Sequence, residues 1–463
     1  GVVLACNNVE VIDLGVMVPA DKILAEAKAH EVDVIGLSGL ITPSLDEMAG
    51  FARELERQGS KLPLLIGGAT TSKVHTAVRI APNYSGEVVH VLDASRAVPV
   101  VQKLAGEDRV AFAAEVRADQ EAERERFARR QAQQSLLSWE EAQANRYAFD
   151  PETAQIVPPR QLGLTTLPGV PVQELRPFID WGPFFIAWGM PGKYPRLLDD
   201  PARGEEARRL LGDANALLDE IEARRSLSVN AVYGLYPAAS VDEAVVFYDA
   251  QRCEPVALFP MLRQQAQKTP GKPNRSLADY VAGPEHDDHA GAFVVTVRGA
   301  EKLVAEAEAR HDDYRALMTK ALADRLAEAA AEWLHARVRR EAWGYAPDEN
   351  LRPEEIVAER YRGIRPAPGY PACPDHTLKR TLWALLDVER KTGATLTEHL
   401  AMSPAATVCG FYFAHPEADY FDVGHVGRDQ VEAYAQRAGM TIEEAERWLS
   451  PRLAYTPLAS VTL

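Results

Sequence analysis

The sequence predicts two folds in tandem. A doubly wound α/β domain covers residues 1–105, and an α+β domain with a mostly antiparallel sheet covers 136–463; a charged helical linker at 106–135 joins them. Three observations carry this. Up to residue 105, short apolar runs alternate with amphipathic ones at the spacing of β-α units. From Gly106 to Gln134 the chain turns charged, acids and bases recurring three and four apart with no proline or glycine after Gly106. Beyond about residue 150 come more proline, more aromatics and longer helices, with strands no longer regularly interleaved among them.

In the first domain, VEVIDLG (Val9 to Gly15) reads as a strand and Ala20 to His30 as a helix. VDVIGLSGL (Val32 to Leu40) has the continuous apolar character of a strand buried on both faces. In the helix that follows, Ser44 and Glu47 have capping-box spacing and Gly59 is a stop. LPLLIGG, a helix from about Ser72, VVHVL (Val88 to Leu92) and a helix from about Ala94 complete the pattern. Ligands on such sheets sit at the carboxyl ends of strands, here Gly15, Ser38 to Thr42, Gly67 to Thr71 and Asp93 to Ser95. The opening GVVLA reads either as a first strand turning at Asn7-Asn8 or as the apolar end of a helix.

After a solvated linker helix, Ser138 and Glu141 form a second capping box. Two long helices follow, Glu205 to Ser226 and His311 to Trp343. The latter carries an apolar stripe of Leu317, Ala321, Leu322, Leu326, Ala330, Trp333, Leu334 and Val338. Strands are expected at VNAVYGLYPA, Ala244 to Tyr248, Ala292 to Val297 and Ala406 to Phe413.

Composition excludes several classes. A formal charge of −16 argues against non-specific nucleic-acid binding. No run of about 18 apolar residues implies a membrane span, and the first residues lack the features of a signal peptide. Four cysteines, Cys6, Cys253, Cys373 and Cys409, form no CxxC pair, which suits a reducing cytoplasm and offers no zinc site. HDDH at 286–289 has metal-ligand residue types but no further ligand nearby, so no metal is expected there. Neither HExxH nor a Ser-His-Asp order is present.

Three stretches could carry chemistry. GLSGLITPS and IGGATTS are glycine- and hydroxyl-rich loops after strands that admit a polar or phosphate-bearing ligand, although ordinary β-α turns look similar. FIDWGPFFIAWGMPGKYP (Phe178 to Pro195) surrounds Asp180 with aromatics, where the acid either serves a cationic ligand or caps the next turn. RPAPGYPACPDH (Arg365 to His376) has four prolines that forbid helix and inner strand. It should be a stiff, extended loop presenting Arg365, suited to a carboxylate, and Tyr370, suited to a cation or a flat ring. The alternative is a buried crossover whose Arg and Tyr satisfy neighbouring carbonyls. Glu328, off the apolar stripe with Asp324 and Arg325, reads by default as a solvated face.

Taken together, DLGVMVP, IGLSGLITPSLDEM, LIGGATTSK, DASR, FIDWGPFF, ALADRLAEA, WGYAP, GIRPAPGYPACPDH and RDQVEAYA, in this order, closely resemble the C-terminal half of the cobalamin-dependent methionine synthases. The resemblance implies a flavodoxin-like (Rossmann-like) cobalamin-binding domain followed by an S-adenosylmethionine-binding activation domain. The family's activity is methyl transfer from methyltetrahydrofolate to homocysteine through cobalamin. Oxidised cofactor is restored by S-adenosylmethionine and a flavodoxin-type electron donor.

Carried over by resemblance, Ser38, Thr42, Gly67, Gly68 and Ala94 line the pocket for cobalamin's nucleotide tail, and Ser44 belongs to the ligand relay. Asp180, Glu328, Arg365, Tyr420 and Phe421 make the S-adenosylmethionine site, and Tyr370 is the tyrosine that faces cobalt. The family's DxHxxG motif, with the cobalt-ligating histidine, lies upstream of Gly1, as does the first strand of the sheet. The homocysteine domain, with its zinc, and the folate domain are likewise expected upstream, in a cytoplasmic monomer. The alternative is a non-catalytic module binding S-adenosylmethionine and partners, if the shortened first domain cannot hold cobalamin.

Overall fold

The computed structural model describes residues 4, 7, 9–15, 18–39, 43–68, 70–92, 94–106, 108–133 and 136–457, with the backbone alone at 43, 46, 94, 95 and 128–133. The chain forms two compact units, residues 1–136 with 446–463 and residues 137–445.

In the first unit, β1 (Ile35–Ser38), β2 (Leu64–Gly67) and β3 (Val88–His90) run parallel in the order β1-β2-β3, with Ile35 opposite Leu64 and Leu64 opposite Val88. Helices cover both faces. Ile35, Leu64, Ile66 and Val88 pack with Met48, Phe51 and Leu55 of α2 (Pro43–Arg57), beside α1 (Ala20–Ala29). Leu65, Val89 and Val91 pack with Val101 and Leu104 of α3 (Ala94–Ala105) on the other side. Gly59 ends α2 as expected: at φ +65 its N–H reaches the Glu56 carbonyl while Ser60 N–H reaches Leu55.

Several expectations are corrected here. Val9–Gly15 is not a strand, and Val11 and Ile12 are exposed. A strand needs a hydrogen-bonded neighbour, and none of the described strands lies beside this run. β1 alternates buried and exposed rather than being buried throughout. Ser44 is the second residue of α2 rather than its cap, because Pro43, whose fixed φ suits a first turn, already belongs to the helix. The opening GVVLA lies largely outside the described residues; of it Leu4 is helical, and its carbonyl accepts from Asn7 and Val9.

The linker is one helix, α4 (Arg109–Gln133), but it is not simply solvated. Ala113 and Gln120 are buried, and the Gln120 amide donates to the Val88 carbonyl of β3 at 2.6 Å. Arg109 donates to the Lys61 carbonyl and to Glu87, both at 2.8 Å. The helix therefore belongs to the first unit.

The second unit begins with α5 (Trp139–Ala144), opened by the expected capping box of Ser138 and Glu141. Its sheet has six antiparallel strands, β4 (Gly163–Val170), β5 (Ser228–Val241), β6 (Ala244–Tyr248), β7 (Pro255–Pro260), β8 (His289–Arg298) and β11 (Thr407–Tyr412). The order is β11-β8-β5-β6-β7, with β4 on the other edge of β5; β9 (Thr395–Leu396) and β10 (Met402–Ser403) pair separately. One face packs against α6 (Trp181–Ala187), α7 (Gly204–Arg224) and α8 (Asp313–Arg337). The other packs against α9 (Leu378–Leu386) and the loops around it.

β4 and β7 escaped the sequence reading because each carries proline (Pro168 in β4, Pro255 and Pro260 in β7) and exposed positions of an edge strand. The long helix also differs from expectation: α8 ends at Arg337 and passes into a π-helical turn, Val338–Ala342. Leu317 falls outside the stripe, 52% exposed. No helix among the described residues is long and apolar enough to cross a membrane.

Candidate functional site

In the first unit the loops after β1 and β2 press together. A Cβ on Gly68, whose φ is +107, would lie 2.2 Å from the Gly39 carbonyl oxygen; one on Gly39 would lie 3.1 Å from Thr70 Oγ1 and 3.2 Å from Ser44 Cβ. Gly39 N–H donates to Gly67 O at 2.8 Å, and the Thr71 hydroxyl donates to Gly68 O at 2.9 Å and lies 3.3 Å from His90 Nε2. Ser38 is exposed at the rim, and Gly67 and Gly68 carry no side chain to obstruct it. Thr42 lies outside the described residues, and Ala94 is placed by its backbone only, at the start of α3. The result is a shallow cradle of backbone and hydroxyls at the carboxyl ends of parallel strands, a form that fits a polar ligand tail.

In the second unit, Arg365 leaves β-bridge residue Ile364 and turns inward rather than standing free. Its Nη2 meets Glu332 Oε2 at 2.6 Å, and its Nη1 donates to the Tyr361 hydroxyl at 2.7 Å and approaches His335 Nδ1 at 3.4 Å. Its backbone N–H donates to the Tyr420 hydroxyl at 2.9 Å. Burial works against its charge, but Glu332, Tyr361 and Tyr420 together outweigh it and the guanidinium stays firmly cationic. Burial pushes the Glu332 carboxyl up, while Arg365 and Arg339 pull it the other way. Glu332 Oε1 faces Arg339 Nη1 at 3.9 Å, and both atoms are buried without a hydrogen-bond partner.

His335 is fully buried, and burial holds its imidazole well below the ordinary value, so the ring is neutral. It stacks on Tyr412, which stacks on Phe293, giving Arg365 a rigid backing. None of Glu332, His335 and Tyr361 was picked out from sequence. The available signal was a Glu and a His three apart inside an otherwise apolar helical stretch, since buried ionisable groups demand partners.

The proline-rich loop contains no helix or strand, as expected, yet it doubles back rather than staying extended. Cys373 N–H donates to Tyr370 O at 2.9 Å and Gly369 N–H to Cys373 O at 2.7 Å, closing a tight turn. Tyr370 projects from it, 60% exposed. Partial burial, and then the charge of Glu328, push its phenol up, which puts Glu328 near the loop rather than on a remote solvated face.

Arg365 and Tyr420 are thus in direct contact, and Glu328 and Arg365 lie close enough to Tyr370 to act on its phenol. Asp180 stands apart from these bonds: it caps α6, accepting from Gly182 N–H at 2.9 Å. Phe421 packs at the rim of the second core, its ring 6.4 Å from that of Tyr280. Within HDDH, Asp288 accepts from Ala282 and His289 N–H groups, and no trio of metal-ligating side chains is found among the described residues.

The model of the vitamin B12-dependent methionine synthase activation domain matches residues 171–439. The chain belongs to the vitamin B12-dependent methionine synthase family. The B12-binding domain model matches residues 2–87, the unit that holds the cradle at Gly67 and Gly68. A crystal structure of the MetH reactivation domain bound to AdoHcy is 48% identical, with a TM-score of 0.68, and the match covers 69% of this chain and 99% of that one. The chain accordingly carries the cobalamin-reactivation module of a methionine synthase, with its B12-binding and activation domains.

Proposed function

We propose that the activation domain binds S-adenosylmethionine at Arg365 and presents its methyl group for the restoration of cobalamin. The observation that carries this is the state of the guanidinium. Glu332, Tyr361 and His335 fix one side of it, leaving Nε and one Nη2 hydrogen for a ligand carboxylate. The related MetH reactivation domain, which is bound to AdoHcy, the demethylated product, supports the same ligand class.

Tyr420 and Phe421 then wall the site, and Asp180 and Glu328 supply negative charge for the ammonium and the ribose hydroxyls. Cobalamin, when bound, supplies the reduced cobalt that takes the methyl group. By resemblance to the family, Tyr370, exposed on its turn, is the residue assigned to face it. The first unit, flavodoxin-like by resemblance to the family, holds the nucleotide tail at Ser38, Thr42, Gly67, Gly68 and Ala94, with Ser44 near the loop. The protein's contribution is orientation and proximity. Electrons come from a flavodoxin-type protein, in a cytoplasmic setting.

Calorimetric titration with S-adenosylmethionine tests the site: Arg365→Lys, a point charge in place of a fork, should weaken binding by about 1–3 kcal/mol. Unchanged affinity would refute the assignment. Visible absorbance after incubation with methylcobalamin and gel filtration separates this function from that of a non-catalytic binding module.

A further inference from the structure

We propose that Lys379 is a positioning residue for Tyr370: its buried ammonium holds the His376 ring against Gly369 and so fixes the turn from which Tyr370 projects. The proposal rests on the reading that Tyr370 faces the cofactor.

Lys379 lies in the first turn of α9 and is 3% exposed. Lysines are almost never buried so completely without a carboxylate. Here both partners are neutral, His376 Nδ1 at 2.9 Å and the Leu400 carbonyl at 3.0 Å. An ammonium has only donors, so Nδ1 accepts and the imidazole carries its proton on Nε2. Burial, and then the charge of Lys379, push His376 down to about 3, which keeps the ring neutral and able to accept. Leu400 offers its carbonyl from φ +61, a left-handed conformation that is unfavourable for a residue with a branched side chain. The fold thus tolerates an unfavourable cation and an unfavourable backbone to complete one contact.

That contact leads directly to the turn. A Cβ on Gly369, whose φ is +101, would lie 2.3 Å from His376 Cε1, so the ring rests on the glycine backbone itself. Gly369 and Cys373 close the turn through the two backbone bonds described above. Among the described residues no hydrogen bond is made by the Tyr370 hydroxyl, so the direction of its side chain is set by this backbone. The far end of the loop has its own anchor, with Asp375 accepting from Tyr434 and Thr377 at 2.6–2.7 Å. Lys379 is therefore not needed to tie the loop to the domain as a whole; its reach is local to Gly369.

The test is site-resolved amide hydrogen exchange on the full chain. Lys379→Met keeps the stem and removes the donors; it should accelerate exchange at Gly369 and Cys373 at least tenfold and leave the β8 amides unchanged. His376→Asn keeps an acceptor for the ammonium but removes the ring, and should loosen the same two amides. Should Lys379→Met fail to fold, His376→Asn decides, and wild-type exchange at both amides in a folded variant overturns the proposal. Uniform loosening of β8 and the turn together would make Lys379 merely structural and overturn it as well. Tyr370→Ala in the cobalamin-loaded chain tests the underlying reading separately: unchanged methyl transfer there removes the role of Tyr370 while the exchange result stands.

Discussion

Glu332 and Arg365 meet at 2.6 Å within a largely buried pocket, and the same carboxylate faces Arg339 at 3.9 Å. One acid thus stands between two guanidinium groups, with Glu349 completing the row at 2.6 Å from Arg339. Removing one member of such a buried set leaves an uncompensated charge. Glu332→Ala should cost about 3–5 kcal/mol in denaturant unfolding of the second unit, whereas the double replacement Glu332→Met with Arg365→Met should cost less than the single change. A double change that costs the sum of the two single changes would mean that the pair is not coupled.

Much of the fold was legible because local signals agreed with the final structure. Ser138 with Glu141, Gly59 after α2, and the apolar runs of β5, β6 and β8 each specify their element from within a few residues. What failed depended on remote partners. Val9–Gly15 has the composition of a strand but no described neighbour to pair with, and Gln120 is buried through a bond to Val88, thirty-two residues away in sequence. The site followed the same division. Arg365 and Tyr370 stood out through the prolines around them, and Glu332 and His335 did not, since their one local signal, an apolar helical setting, does not name the remote partners that bury them.

The second unit should lose stability in mild acid. Burial is the leading cause of low values for His289, near 4, His376, near 3, and His335, well below the ordinary value. The unfolded chain takes up these protons from pH 6.5 downward while the folded chain refuses them. Stability is therefore fully present above pH 6.5 and falls with pH until about 4 for His289 and about 3 for His376. Between pH 6.5 and 5.5 each should remove roughly 1 kcal/mol. Urea midpoints followed by tryptophan fluorescence should fall over that interval, and a flat profile would contradict the buried neutral histidines.

Gly67 and Gly68 should respond very unequally to the same substitution. At Gly68 the φ of +107 and a backbone atom 2.2 Å from the new Cβ leave no room, whereas at Gly67 the nearest atom is the Val91 carbonyl at an ordinary 3.5 Å. Gly68→Ala should destabilise the first unit by about 2–5 kcal/mol, combining left-handed strain with overpacking. Gly67→Ala should stay within about 1 kcal/mol. Circular-dichroism melts of the two variants measure the contrast, and similar melting would show that the loop after β1 can yield.

The boundary between the units gives the last test. The sequence ends the first domain at residue 105 and makes 106–135 a helical linker before the second domain at 136. The structure attaches that helix to the sheet: Gln120 satisfies the end of β3, Arg109 bonds the Lys61 carbonyl and Glu87, and Ala113 and Val116 add apolar contact. Deleting it would uncover Val101 and Leu104 beside β3 and leave the Val88 carbonyl without its donor. An unsatisfied buried carbonyl alone costs about 1–3 kcal/mol. Residues 1–105 produced alone should therefore melt at a lower temperature and over a broader range than residues 1–136, while residues 137–445 should fold without either and bind S-adenosylmethionine. Limited proteolysis of the full chain should likewise spare residues 109–120. If the 1–105 and 1–136 fragments melt identically, α4 is a tether after all, and its contacts with β3 contribute nothing to the stability of the sheet.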